Sequence, residues 1–179
     1  MLHLVYVLIT SDEQTYTLIK GLNLLKSWFN PESFYGKGSN GPTVFMTDNC
    51  AELRDVLRNV FPNSDLFLCT FHILQQVWRW LKDSNHGVRL VDMPPILSLF
   101  KAMVFAKTQA ELEASYLILI ENTFSYPNFQ TYIESLYDIK ESWACCYRVN
   151  KLIRGSNTNN YVESQFNVIK DGIFKRYSA

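Results

Sequence analysis

The first half of the chain alternates between two hydrophobic patterns. Short apolar runs rich in β-branched and aromatic residues are typical of strands buried on both faces, and they occupy residues 2–10, 43–47 and 65–69. Each run is followed by a segment in which apolar residues recur at helical spacing. Two such stripes are Leu53, Val56, Leu57 and Val60, and Phe71, Leu74, Trp78 and Leu81. This β-α-β-α-β-α order over residues 1–82 predicts a parallel sheet covered by helices.

The pattern after residue 92 is helical alone. Residues 92–147 contain no good strand, and "TQAE" at 108–111 is a capping box in which Thr108 and Glu111 bond to each other's free amides. A polar loop at 154–160 precedes a last helix that begins at about residue 158 and ends near Arg176. We therefore predict a partial α/β core at 1–82, a helical insertion at 83–150, and a loop with a final core helix at 151–179.

Composition adds few functional restrictions. The chain is 47% hydrophobic, which supports a packed core, and its 17 basic and 17 acidic residues cancel, so global charge indicates no partner. The four cysteines show no disulfide-framework spacing, which favours a reducing compartment. No apolar run reaches the roughly 18 residues of a membrane helix. The apolar start lacks a basic segment and a small-residue cleavage site, so we predict a strand there and no signal peptide.

Asp48 stands between the apolar run at 43–47 and the helix that follows it. It could be the helix N-cap, because aspartate is a favoured cap residue. However, Asn49 and Glu52 can form a capping box of their own, which would leave Asp48 at the carboxyl end of a strand. Ligands bind at that edge of open α/β sheets, and Mg²⁺ is held by one or two carboxylates. Asp48 could therefore be either a helix cap or a metal ligand.

Three further residues could supply chemistry. Glu163 lies beside Val162 in the first turns of the last helix, where it could face a cleft, although acidic residues near helix N-termini are common on solvated surfaces. Cys69 and His72 have the spacing of half a zinc site. No second pair of ligands completes that site, so we do not expect structural zinc. A buried thiol and a histidine bonded to the backbone are the commoner fates of such residues.

Three segments of the chain together resemble a known family. "MTDNCAELRDVL" (46–57), "LCTFHILQQVWRWL" (68–81) and "RGSNTNNYVESQFNVIKD" (154–171) are similar to the catalytic domain of Mutator-like element (MULE) transposases. The resemblance covers residues 2–173. Its specific parts are the aspartate at a strand end, the Cys-x-x-His motif and the Asn-Asn-x-x-Glu helix. It implies an RNase H-like α/β fold with a DDE catalytic triad and a helical insertion before the last acidic residue.

The resemblance also implies roles for individual residues. Asp48 and Glu163 match the second aspartate and the glutamate of the triad and would be catalytic metal ligands, while Cys69 and His72 match a family motif to which we assign no role. The implied cofactors are two divalent ions, Mg²⁺ or Mn²⁺, and the implied partner is transposon-end DNA, cleaved and joined by a two-metal displacement. Action in the nucleus follows from the family as well. The sequence indicates no membrane partner and leaves a homo-oligomer open.

The first aspartate of the triad has no match, since the family places it on a strand that would precede residue 2. We therefore expect a fragment of the domain, with a partial RNase H-like sheet that lacks its first two strands, inactive as written. The alternative is a domesticated, non-catalytic module that binds DNA or protein. A nucleotide-binding protein is disfavoured, because the glycines at 36–41 follow a helix rather than a strand. Trp78 lies on an apolar stripe and is expected in the core. Trp80 lies off the stripe and could stack on nucleic-acid bases.

Overall fold

The computed structural model describes residues 12, 14–153, 157, 158 and 164. The strand predicted at 2–10, Glu163 and most of the predicted last helix lie outside these residues. Helices and two short strands make up the described part, in agreement with the predicted α/β class. The chain divides into two compact units, residues 1–66 with 158–179 and residues 67–157. None of the helices in the described part is both long and apolar enough to cross a membrane.

The first unit contains a β-α-β arrangement. It begins with α1 (Thr15–Ser27) and a short helical turn, α2 (Ser33–Gly36), which lead to β1 (Val44–Thr47), α3 (Ala51–Val60) and the start of β2 (Asp65–Leu68). The two strands pair in a small parallel sheet, where the Asp65 amide donates to the Thr43 carbonyl at 2.9 Å. Both strands lie where the sequence predicts them. The carboxyl end of β1 is therefore a defined edge of a parallel sheet.

The core of the first unit lies between α1 and α3. The stripe predicted on α3 is confirmed, since Val56, Leu57 and Val60 are buried. The Lys26 ammonium of α1 donates to the Val60 carbonyl at 2.7 Å, a favourable position for a cation at a helix C-terminus. Half-buried apolar side chains complete this core, and they include Leu18, Ile19, Leu22, Phe29, Phe45 and Leu53. The packing of α1 on α3 fixes the helix that begins three residues after Asp48.

The second unit is helical and has a core of its own. It consists of α4 (Thr70–Lys82), α5 (Met93–Val104), α6 (Gln109–Asn122), α7 (Pro127–Asp138) and α8 (Lys140–Trp143), with 3-10 turns at Ser84–His86 and Cys145–Arg148. Residues 92–147 are all described and contain no strand, so the predicted helical block is confirmed. The largest fully buried side chains of this core include Trp143, Phe100, Phe129, Ile73, Leu81 and Met103. The domain bounds at residues 82 and 150 stay a prediction.

The predicted buried stripe of α4 is partly wrong. Leu81 is buried as expected, but Phe71 is 43% exposed, and the buried face runs instead through Ile73 and Val77. Leu74 and Trp78 are half-buried beside that face. The segment has apolar residues over a wide arc, so helical spacing alone selects more than one face. Packing against the other helices of the unit decides which one is buried.

The capping box predicted at 108–111 forms in part. Thr108 is the N-cap of α6, and its hydroxyl accepts the Glu111 amide at 3.1 Å, as predicted. The Glu111 carboxylate, however, accepts the amide of Lys107 at 2.7 Å, one residue before the expected Thr108 amide. Both bonds still satisfy amides at the start of the helix.

Candidate functional site

Asp48 lies at the carboxyl end of β1 and does not cap a helix. Strand β1 ends at Thr47, Asp48 is exposed, and α3 begins only at Ala51, after an N-cap at Cys50. The predicted cap at Asn49 is therefore wrong by one residue, and the alternative cap at Asp48 is wrong by two. The Cys50 side chain accepts no hydrogen bond from the first helix amides.

The later start of α3 also changes the role predicted for Glu52. Counted from Cys50, Glu52 is the second residue of the helix rather than the third, so it cannot close a capping box. Its carboxylate accepts instead from the Cys50 thiol at 3.4 Å. Asp48 is thus left to present an exposed carboxylate at the sheet edge, which is the condition that the metal-ligand interpretation requires.

A buried arginine holds this end of the strand in place. Arg54 is 7% exposed, and its guanidinium donates to the Thr47 hydroxyl at 3.4 Å and to the Leu66 carbonyl at 3.5 Å. These bonds connect the last residue of β1 with β2 in the first unit. Burial lowers the pKa of Arg54, and Arg58 lowers it further, against an opposite effect of Asp55. Sequence reasoning missed Arg54, because it lies beside an apolar stripe, where arginine is usually solvated.

The Cys-x-x-His motif lies at the start of α4, in the second unit. Cys69 is fully buried and is the N-cap of the helix, and His72 is half-buried in the first turn. The carbonyl of Asn157 accepts both the amide and the hydroxyl of Thr70, each at 2.9 Å. The buried thiol matches the commoner fate expected for Cys69. Thr70, inside the motif, therefore anchors the junction between strand and helix through its bonds to Asn157.

A second buried arginine supports the same junction, and no local sequence pattern marks it. Arg148 is 2% exposed. Its guanidinium donates to the carbonyls of Leu68 at 2.6 Å and Trp143 at 3.0 Å, and to the side chain of Asn157 at 3.1 Å. Burial lowers the pKa of Arg148 from its ordinary value. The bond to Leu68 joins residues eighty apart in the chain, which no local pattern predicts.

The predicted metal site is described only on its Asp48 side. Among the described residues, no three His, Cys, Asp or Glu side chains are grouped closely enough to hold a metal ion. Glu163, the second predicted ligand, lies outside the described residues. An exposed carboxylate at the end of a parallel strand fits the oxygen ligands that Mg²⁺ and Mn²⁺ take. The assignment of a divalent ion to Asp48 and Glu163 therefore stays a prediction.

Trp80 is the candidate for stacking on nucleic-acid bases, but its ring has other neighbours in the structure. The indole is stacked on His86, with ring centroids 3.7 Å apart and planes inclined by 11°. It is also nearly parallel to Tyr132, at 5.0 Å and 5°. The His86 ring is fixed in turn by a 2.7 Å contact between its Nδ1 and the Trp80 carbonyl. Base stacking on Trp80 would require these contacts to be displaced.

Comparison with known proteins gives one short similarity. A scan against protein-family models finds none that matches the chain. A segment of 73 residues, 38% of this chain, is 37% identical to the PKS-NRPS hybrid synthetase cheA of Chaetomium globosum. The matching region spans about 1% of that synthetase's length. A match of this extent is a local likeness and does not show a family for the chain.

Proposed function

We propose that the chain is part of a MULE-type transposase catalytic domain, in which Asp48 and Glu163 are two of the metal-binding carboxylates of a DDE triad. The observation that carries the proposal is the position of Asp48. It is exposed, it directly follows β1, and it precedes the N-cap of α3 by two residues. A carboxylate that served only the helix would stand at the N-cap itself. The finer fold in this proposal is a partial RNase H-like sheet.

The chemistry of this edge suits a hard divalent cation. Ligands of parallel α/β sheets bind outside the carboxyl ends of the strands, where Asp48 lies. Bound ions would supply activation of the attacking oxygen and stabilisation of the leaving oxygen during phosphodiester cleavage and strand transfer. Asp48 and Glu163 would hold these ions. Arg54 keeps the end of β1 in position through its bonds to Thr47 and Leu66.

DNA is the partner that this proposal implies, and the nucleus is the implied place of action. Because its 17 basic and 17 acidic residues balance, the chain has no general attraction for a polyanion. DNA binding by this chain should therefore depend on divalent ions, with most phosphate contacts supplied by other domains of a parent protein.

A second candidate is a domesticated, non-catalytic binding module. The observation in its favour is the separate hydrophobic core of the second unit, which joins α4 to α8 without residues of the first unit. Such a unit can present a stable surface to a partner whether or not Asp48 binds a metal. Dependence on metal ions distinguishes the two candidates.

Thermal unfolding with and without Mn²⁺ tests the proposed metal site. An ion that binds only the folded state stabilises it by about 1.4 kcal/mol at ten times its dissociation constant, which raises the Tm of a domain this size by about 3–6 °C. We expect this rise for the unmodified chain and its loss in Asp48→Asn. Asp55→Asn is the matched control, since Asp55 is an exposed carboxylate on α3 that pairs with Arg58 at 2.7 Å.

The control decides between a specific site and general ion binding. If Asp55→Asn retains the Mn²⁺-induced rise while Asp48→Asn loses it, the ion is bound at Asp48. An equal rise in all three proteins would rule out Asp48 as a ligand and leave the binding-module candidate ahead.

A further inference from the structure

The second unit carries a cluster of tyrosines surrounded by carboxylates. We call it the acidic tyrosine patch, and it consists of Tyr116, Tyr137, Tyr147, Glu113, Glu134, Asp138 and Glu141. The three tyrosines are half-buried and pack against the core of the unit. The four carboxylates are all exposed. The patch therefore combines aromatic rings anchored in the core with negative charge at the surface.

The two central rings form a stacked pair. Tyr116 of α6 and Tyr137 of α7 have centroids 4.0 Å apart and planes inclined by 17°. The ammonium of Lys140 lies 4.3 Å from the centroid of the Tyr137 ring. This distance is within the range of a cation–π interaction, in which the negative face of the ring attracts a cation. The chain itself thus places a cation on the patch.

The charge around these rings is strongly one-sided. Residues 108–148 contain six carboxylates and only two basic residues, Lys140 and the buried Arg148. Burial raises the pKa of Tyr116, and the nearby Glu134 and Asp138 raise it further. Burial and Glu113 act in the same direction on the pKa of Tyr137. Glu113 stands three residues before Tyr116 on α6, and Glu134 stands three residues before Tyr137 on α7, a spacing that makes side chains neighbours on a helix.

We propose that the acidic tyrosine patch binds a lysine- or arginine-rich peptide segment of another protein, with one cationic side chain taking the place of Lys140 on Tyr137. The rings supply cation–π contacts, and the four surrounding carboxylates pair with neighbouring basic residues. Nucleic acid is excluded from this surface by repulsion between the carboxylates and phosphate. The interaction goes beyond the proposed metal site, and it stands whether or not Asp48 binds an ion.

Fluorescence anisotropy with the complete chain tests the interaction. The probe is a fluorescein-labelled peptide of alternating lysine and glycine, and the same peptide with glutamate in place of lysine is the negative control. We expect saturable binding of the lysine peptide alone. The double change Glu134→Gln with Asp138→Asn should raise its Kd by about fivefold or more. Glu121→Gln removes an exposed carboxylate of α6 outside the patch and should change the Kd by less than about twofold.

Changes at Tyr137 and Lys140 separate ring recognition from general charge attraction. Tyr137→Phe keeps the ring face and should retain binding, whereas Tyr137→Leu should weaken it by about threefold or more. Lys140→Met removes the internal competitor and should tighten binding. A circular-dichroism melt confirms that each variant is folded. The proposal is overturned if the unmodified chain shows no saturable binding, if Glu121→Gln weakens binding as much as the double change, or if duplex DNA displaces the peptide by binding the patch.

Discussion

Replacing Gly41 with alanine is expected to lower the free energy of unfolding by about 3–4 kcal/mol. Gly41 has φ 76° and ψ −167°, a conformation essentially restricted to glycine, and holding another residue there costs about 1–3 kcal/mol. A Cβ at this position would also lie 2.5 and 2.6 Å from two ring atoms of Phe61. Because Phe61 is 2% exposed and packed against Phe45, its ring cannot move without disturbing the core. Such overpacking adds about 1–3 kcal/mol.

Comparing the urea denaturation of Gly41→Ala with that of Gly36→Ala separates the backbone cost from the cost of overpacking. Gly36 also has a positive φ of 82°, but no atom lies within 4 Å of a Cβ built there. Gly36→Ala should therefore lose only the backbone term, about 1–2 kcal/mol. Equal losses in the two variants would contradict the close approach of Gly41 to Phe61.

Replacing Arg148 with methionine is expected to destabilise the second unit by about 2–4 kcal/mol. Methionine has a similar length but cannot donate, so the carbonyls of Leu68 and Trp143 lose bonds of 2.6 and 3.0 Å. Each buried polar group left without a partner costs about 1–3 kcal/mol. Removal of a buried charge offsets part of this loss, because burial of the guanidinium is itself costly.

The measurement is urea denaturation followed by circular dichroism, with Arg79→Met as the control. Arg79 is an exposed residue of α4, so its replacement should change stability by less than about 0.5 kcal/mol. If Arg148→Met is as stable as the unmodified chain, desolvation of the guanidinium cancels its hydrogen bonds. Arg148 would then not stabilise the junction between β2 and α4.

Patterns within a few residues of sequence predict the buried face of α3, the N-cap of α6 and the end of β1. The stripe at Val56, Leu57 and Val60 specifies one face of α3, and the Thr108 hydroxyl bonds to the amide of a residue three places on, so both are decided within a few residues. The place of Asp48 at the end of β1 follows in the same way. The buried face of α4 was predicted incorrectly, because Ile73 and Val77 compete with Phe71 and tertiary packing decides between them.

The candidate site is harder to predict from the sequence than the helices and strands around it. A shift of the α3 N-cap from Asn49 to Cys50 depends on backbone angles that side-chain preferences do not fix. Arg54 bonds to β2, and Arg148 bonds to a residue eighty positions away, so neither role has a local signature. The pairing of Asp48 with Glu163 in one metal site rests on the resemblance and stays a prediction.

Iron-directed cleavage of the polypeptide tests this pairing most directly. Fe²⁺ substitutes for Mg²⁺ at oxygen sites, and with ascorbate and peroxide it generates radicals that cut the backbone near the bound ion. If Asp48 and Glu163 hold the same ions, cuts should appear near both residues, disappear with excess Mg²⁺, and be lost in Asp48→Asn. Cuts confined to other segments, or cuts near residue 48 that persist in Asp48→Asn, would contradict the account of Asp48 as a catalytic metal ligand.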